Sequence, residues 1–279
     1  MKKLITLLLA LVLVFGLVAC GGGGGTADGD APYVLRVGLV GAFNHHWDLI
    51  QEIVAEEGIE LELVFFSDFM TPNLALDAGD IDLNAFQHKM FFGNDTAANG
   101  YELTYIADTF IAPLNIFNNP DRISSLEELQ DGHTVAIPSD PTNSGRALRL
   151  LEAAGLIVLD TPEGEIASIL DISERIVNID IIEAEAGMLA NILPDVEAAV
   201  INNPHALNAG LNSEEDSIFR EDITGPNAVA LINVIAVRTA DLEDELRARL
   251  FDIIVRAHHT DAVRELFLEE YQGALVPVW

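Results

Sequence analysis

The chain has 279 residues, and its 14 Lys and Arg stand against 45 Asp and Glu, a formal net charge of −31 at pH 7. So acidic a surface excludes a nucleic-acid binder and a protein that clings to anionic lipid by charge; it suits a chain kept soluble at high ionic strength. Cys20 is the single cysteine, so no intramolecular disulfide can form.

The N-terminus reads as an export signal: Lys2 and Lys3 precede an apolar run over 4–15 and then small residues. That run is shorter than the ~20 apolar residues of a membrane-spanning helix. Leu17, Val18, Ala19 and Cys20 match a bacterial lipobox, in which the cysteine becomes the lipid-modified first residue of the mature chain. Residues 1–20 are thus expected to be a lipoprotein signal peptide with lipobox, and 21–32 a flexible Gly-rich tether. Once the signal is removed, Lys89 is the only lysine left.

From there the order is strand, helix, strand, helix. Strands are predicted over 35–40, 59–66, 81–86 and 101–107. Between them fall a helix with Trp47, Ile50, Ile53 and Val54 on one face, a short one opened by Pro72, and a weaker one over 90–99. A capping box at Ser125 to Glu128 predicts a short helix. A strand over 134–137 then leads through Pro138 and Pro141 to a helix over 144–154, capped by Asn143 or Ser144. Helix 166–172, strand 177–182, helix 188–193 and strand 198–201 follow. Next come a helix from Pro204 to Gly210, strand 231–237, helices 242–258 and 261–268, and an apolar tail to Trp279. This grammar implies α/β architecture in two lobes, with a cleft outside the carboxyl ends of the strands.

The turn from Asp140 to Arg146 brings an Asn, a Gly and an Arg to a helix N-terminus, where backbone N–H groups favour an anion. Its guanidinium can grip a carboxylate through two parallel bonds; equally, it can pair with a nearby Asp or Glu of the chain. Other strand ends carry Phe69, Phe86, His88 and Asn202, while Asn233 falls inside its strand. One strong cation, amides, an imidazole and rings make the inventory of a pocket for a zwitterion with an apolar side chain.

Enzyme chemistry has little to stand on. There is no nucleophile elbow and no phosphate-cradling loop, and His88 lacks a partner Ser or Cys in a matching motif. The adjacent pairs His45–His46 and His258–His259 cannot face one metal together and read as surface histidines. No catalytic residue, metal or cofactor is expected.

Gly79 to Asp82 followed by Ala85-Phe86-Gln87-His88-Lys89 resembles the hallmark of the NlpA/MetQ-type lipoproteins, the methionine-binding components of ABC importers. Residues 126–132, the turn 140–146, residues 199–202 and 233–238 and the Pro-Val-Trp ending fall in the same order. The resemblance runs from about Leu35 to Trp279 and implies a type II periplasmic-binding-protein fold with hinge strands and an interlobe cleft. Lobe 1 would comprise 33–112 plus 232–279 and lobe 2 113–231, with crossovers near 111–114 and 231–237.

By the same resemblance Arg146 and Asn143 would hold the ligand carboxylate, and Asn202 and Asn233 its polar end. Phe69, Phe86, His88 and Phe91 would line the side-chain pocket. Phe69 and Phe91 stand where tyrosines are expected in well-matched members, and residues 41–48 and 225–230 also depart from the pattern. The function implied is binding of L-methionine or a closely related amino acid and delivery to a permease with its ATPase subunit. Such a protein would work at the outer side of the cell membrane, anchored through Cys20. Alternatives are a receptor for a short methionine-containing peptide or other small zwitterion, an enzyme on the same fold, or a surface interaction protein.

Overall fold

The computed structural model describes residues 31–279; the expected signal peptide, Cys20 and most of the tether lie outside the described residues. The chain begins with β1 (Tyr33–Val40), α1 (His46–Ala55), β2 (Ile59–Phe66), α2 (Thr71–Ala78), β3 (Leu83–His88), α3 (Lys89–Asn99) and β4 (Leu103–Ile111). Val37 to Val40 and the whole of β3 are buried on both faces, as parallel strands between helices must be. In α1, Trp47, Ile50 and Val54 recur at helical spacing and turn inward.

After β4 the chain passes to a second sheet. It forms β5 (Asn115–Asn118), β6 (Thr134–Pro138), α4 (Pro141–Ala153), β7 (Ile157–Leu159), β8 (Ile172–Arg175), β9 (Asp180–Ala184), α5 (Leu189–Ile192), β10 (Ala198–Ile201), α6 (Asn203–Asn208) and β11 (Ser217–Arg220). It then returns to the first sheet as β12 (Ile232–Arg238), α7 (Glu245–His258), α8 (Asp261–Glu270) and β13 (Val276–Pro277). The six-stranded sheet has the order β13-β4-β12-β3-β1-β2 and the five-stranded sheet β11-β5-β10-β6-β9; β7 and β8 form a separate hairpin. In each sheet three parallel strands meet antiparallel ones on one side. Each sheet has its own core, Leu39, Trp47, Leu83, Ile254 and Phe267 in the first and Ile116, Ile137, Leu148 and Val200 in the second. The architecture is α/β in two sheet-centred halves, joined where the chain passes between β4 and β5 and between β11 and β12. Among the described residues no helix is long and apolar enough to cross a membrane.

Several local expectations need correction. The helix expected from 144 begins at Pro141, because a proline at the first helical position gives up no needed donor. Its cap is Asp140, whose carboxylate accepts the Asn143 N–H at 3.0 Å; Asn143 and Ser144 lie in the first turn. The box at Ser125 yields one 3-10 turn, since Ser125 makes no capping bond and Glu128 accepts from the Ser124 N–H. Residues 166–172 hold a single turn, Ile169–Asp171, which runs into the hairpin strand β8. The strand expected over 177–182 is Asp180–Ala184. His46 and His258 are buried at 1% and 0% exposure, not at the surface; His45 remains exposed.

Candidate functional site

The end of β3 delivers Phe86 and His88 to one face, two residues apart as strand alternation requires. Phe69 precedes α2, Phe91 lies in the first turn of α3, and Asn233 pairs with His88 across the β12–β3 ladder. From the other half come Asn143 and Arg146 on α4 and Asn202 at the end of β10. All eight line one cavity, open at its mouth, together with Gln87, Ala112, Asn203 and Pro204.

Its apolar wall is a ring cluster. Phe86 lies 6.1 Å from Phe69 and 5.8 Å from Phe91 between centroids, and the His205 ring tilts against Phe69 at 4.8 Å. Ala186, from the five-stranded half, packs into the same cluster.

The polar wall converges on Asn143. Its Oδ1 accepts from Asn202 Nδ2 at 2.9 Å and faces His88 Nε2 at 3.4 Å and Arg146 Nη1 at 3.5 Å. Its Nδ2 donates to both carboxylate oxygens of Asp140, each at 3.0 Å. The His88 tautomer follows from its neighbours: Nδ1 accepts the Phe91 N–H at 3.0 Å, so the proton sits on Nε2. Burial, and then the Arg146 charge, hold the His88 pKa well below its ordinary value, so the ring is neutral. Asn202 Oδ1 is buried and has no hydrogen-bond partner among the described residues.

Arg146 is both things the turn allowed. It lines the cavity, and its fork is taken by Glu221 of the chain: Nε donates to Oε1 at 3.2 Å and Nη2 to Oε2 at 2.6 Å. Nη2 also donates to the Ala112 carbonyl at 3.1 Å. Two parallel bonds to a carboxylate do form, and the carboxylate is internal. The anion expected at the helix N-terminus is likewise the chain's own, Asp140. The Nη1 end is left outside those bonds, with Asn143 Oδ1 at 3.5 Å.

Sequence reasoning missed Glu221, His205, Ala112, Asn203 and Pro204. Asn203, Pro204 and His205 follow Asn202 directly, so the strand-end rule extended by one turn finds them. The two halves also touch beyond the cavity. Asn208 Oδ1 accepts the N–H groups of both Ala42 and Phe43, each at 3.0 Å, over Gly41, where a Cβ would clash with the amide nitrogen. A Cβ on Gly187 would lie 2.7 Å from the Ser67 carbonyl oxygen of the opposite half. Gly187→Ala is therefore expected to hold the cleft partly open, at a cost of about 1–3 kcal/mol to the closed form. Calorimetry should find ligand affinity lower by roughly 5- to 150-fold, while the thermal midpoint of the free protein hardly moves.

Comparison with known proteins agrees over the whole described chain. Residues 35–279 match the NlpA lipoprotein family. The D-methionine-binding lipoprotein MetQ of Escherichia coli strain K12 is 38% identical over 274 residues, 97% of this chain and 96% of that protein. The substrate-binding protein of a methionine transporter from Streptococcus pneumoniae superposes with a TM-score of 0.83 at 36% identity, covering 88% of this chain and 96% of that one. A nutrient-binding protein from Burkholderia cenocepacia, solved bound to methionine, gives a TM-score of 0.80 at 33% identity, over 88% of this chain and 100% of that one.

Proposed function

This chain belongs to the NlpA lipoprotein family, a family of transporter substrate-binding proteins and not of enzymes, and we propose that it is the methionine receptor of an ABC importer. It closes on the amino acid between two lobes, residues 33–112 with 232–279 and residues 113–231, and presents it to a permease driven by an ATPase subunit. Cys20 carries the lipid that keeps the receptor at the outer face of the membrane.

The observation that carries this reading is the composition of one cavity from both halves: a phenylalanine wall, one cationic N–H end and one unpaired amide oxygen. A thioether suits the wall, since sulfur–aromatic contacts contribute ~0.3–1.5 kcal/mol each. The α-carboxylate is held by Arg146 Nη1, and the ammonium donates to Asn202 Oδ1 and to the Asn233 amide oxygen. Asn143, with its donors on Asp140, acts as the hub that orients Asn202, His88 and Arg146. Phe69 and Phe91 carry no hydroxyl, so the rings against the side-chain end of the ligand offer it no hydrogen bond. Ligand contacts from both lobes favour the closed state, and the hinge lies in the two connections between the sheets.

Calorimetry of the mature domain against both enantiomers of methionine, glycylmethionine and the common amino acids tests the proposal. Methionine is expected to bind most tightly. Absence of heat with any amino acid would sink it, and recovery of a chemically altered ligand after denaturation would point to an enzyme.

A further inference from the structure

A guanidinium has five N–H bonds, and in Arg146 most are spoken for before any ligand arrives. Nε–H and one Nη2–H go to Glu221, and the other Nη2–H goes to Ala112. Only the Nη1 end is left outside those bonds, with Asn143 Oδ1, another lining residue, at 3.5 Å. The Glu221 carboxylate is itself fixed in place. Oε2 accepts the Leu114 N–H at 2.9 Å, and the Glu221 N–H donates to the Leu114 carbonyl at 2.9 Å. Both side chains are withdrawn from water, at 5% exposure for Arg146 and 14% for Glu221, so their charges act on one another with little screening.

The consequence is a charge balance. Among the described residues that line the cavity, Arg146 alone carries a formal charge, His88 being neutral. Glu221 stands just behind that wall and cancels it. A ligand that brings a net negative charge into the closed cleft leaves one charge uncompensated in a poorly screened place, whereas a zwitterion brings its own counter-charge. We propose that Glu221 is a specificity-determining residue: by holding the Arg146 fork, it restricts the receptor to ligands of zero net charge and rejects carboxylates that lack an ammonium. This assignment rests on the amino-acid reading above and adds the basis on which deaminated, hydroxy- and N-acylated analogues are excluded.

The probes are L-methionine and its monoanionic hydroxy analogue, 2-hydroxy-4-(methylthio)butanoate, measured by calorimetry at pH 7. The wild-type protein should prefer methionine by roughly 100-fold or more, as expected when a buried charge goes unpaired. Glu221→Gln keeps the shape and an acceptor for Arg146 but removes the charge; it should narrow that ratio by about 10-fold or more, chiefly through tighter binding of the anion. Glu221→Asp keeps the charge and should retain most of the wild-type preference, which a loss of shape alone would not allow. Wild-type protein that binds the hydroxy analogue within about threefold of methionine overturns the assignment without any variant. A wild-type protein that binds no methionine overturns both readings. One that binds methionine, with a folded Glu221→Gln variant of unchanged ratio, overturns this one alone.

Discussion

Arg146→Ala is expected to lower methionine affinity by about 100-fold or more and, unlike an ordinary pocket substitution, to destabilise the free protein by about 3–5 kcal/mol. The first effect follows from losing the one cationic group among the described residues of the cavity wall. The second follows from Glu221. With the guanidinium gone its carboxylate stays half-enclosed beside Leu114, held by a single backbone N–H and deprived of both charged bonds. Urea unfolding and calorimetry on the same preparation measure both. Adding Glu221→Ala should recover most of the lost stability, because no orphaned charge remains, and should recover none of the binding. If the single variant unfolds at the wild-type denaturant concentration, the pair contributes nothing net and the hub is looser than its geometry implies.

The second large effect is with acid. Four histidines, His46, His88, His205 and His258, are buried, and burial lowers the pKa of each: to about 3 for His46, to about 4 for His205, and well below the ordinary value for His88 and His258. In the unfolded chain each imidazole takes up a proton as the pH falls through ~6.5. The folded chain resists until far lower, so below that point the unfolded state binds more protons and stability falls with pH. Each such histidine contributes a slope of about 1.4 kcal/mol per pH unit, and four together exhaust a typical domain stability of 5–15 kcal/mol within a few units. The receptor is expected to be stable above pH 7 and to unfold between about pH 5 and 4. His258, with no hydrogen-bond partner on either ring nitrogen among the described residues, gives the cleanest check. His258→Phe should reduce the slope of unfolding free energy between pH 6 and 4 by about 1.4 kcal/mol per unit; an unchanged slope would show that this ring takes up no extra proton on unfolding.

The buried strands were legible because parallel strands covered on both faces are written as short apolar runs ending in Gly, Asn or Pro, as at Val40–Gly41 and Ile201–Asn202. β5 and β11 were not, because these antiparallel strands mix Asn115, Asn118, Ser217 and Arg220 with few apolar residues. Phe69, Phe86, His88, Asn143, Arg146 and Asn202 emerged from one rule, that ligands lie beyond the carboxyl ends of strands, while Asn233, inside its strand, and Phe91 owe their place to the family resemblance; all eight line one space. Glu221 escaped for two physical reasons. It lies 75 residues from Arg146, and it belongs to a run with Glu214, Glu215, Asp216 and Asp222 that reads as a solvated surface. The histidine pairs carry a sharper lesson. Helical geometry that forbids neighbours from sharing a metal also turns them to different faces, so one of each pair, His46 and His258, goes inside.

The tail that ends the chain has a consequence for how the molecule can be watched. Trp279 packs 4.8 Å from the His258 ring, and Trp47, the other tryptophan, lies 5.9 Å from it on the far helix. All four tyrosines, Tyr33, Tyr101, Tyr105 and Tyr271, belong to the same six-stranded half. The other half holds none, and the cavity wall is phenylalanine. Intrinsic emission excited at the indole band therefore reports one half of the protein. Melting of the five-stranded half and occupation of the cleft should leave that emission nearly unchanged, and following them by fluorescence calls for a dye placed on that half.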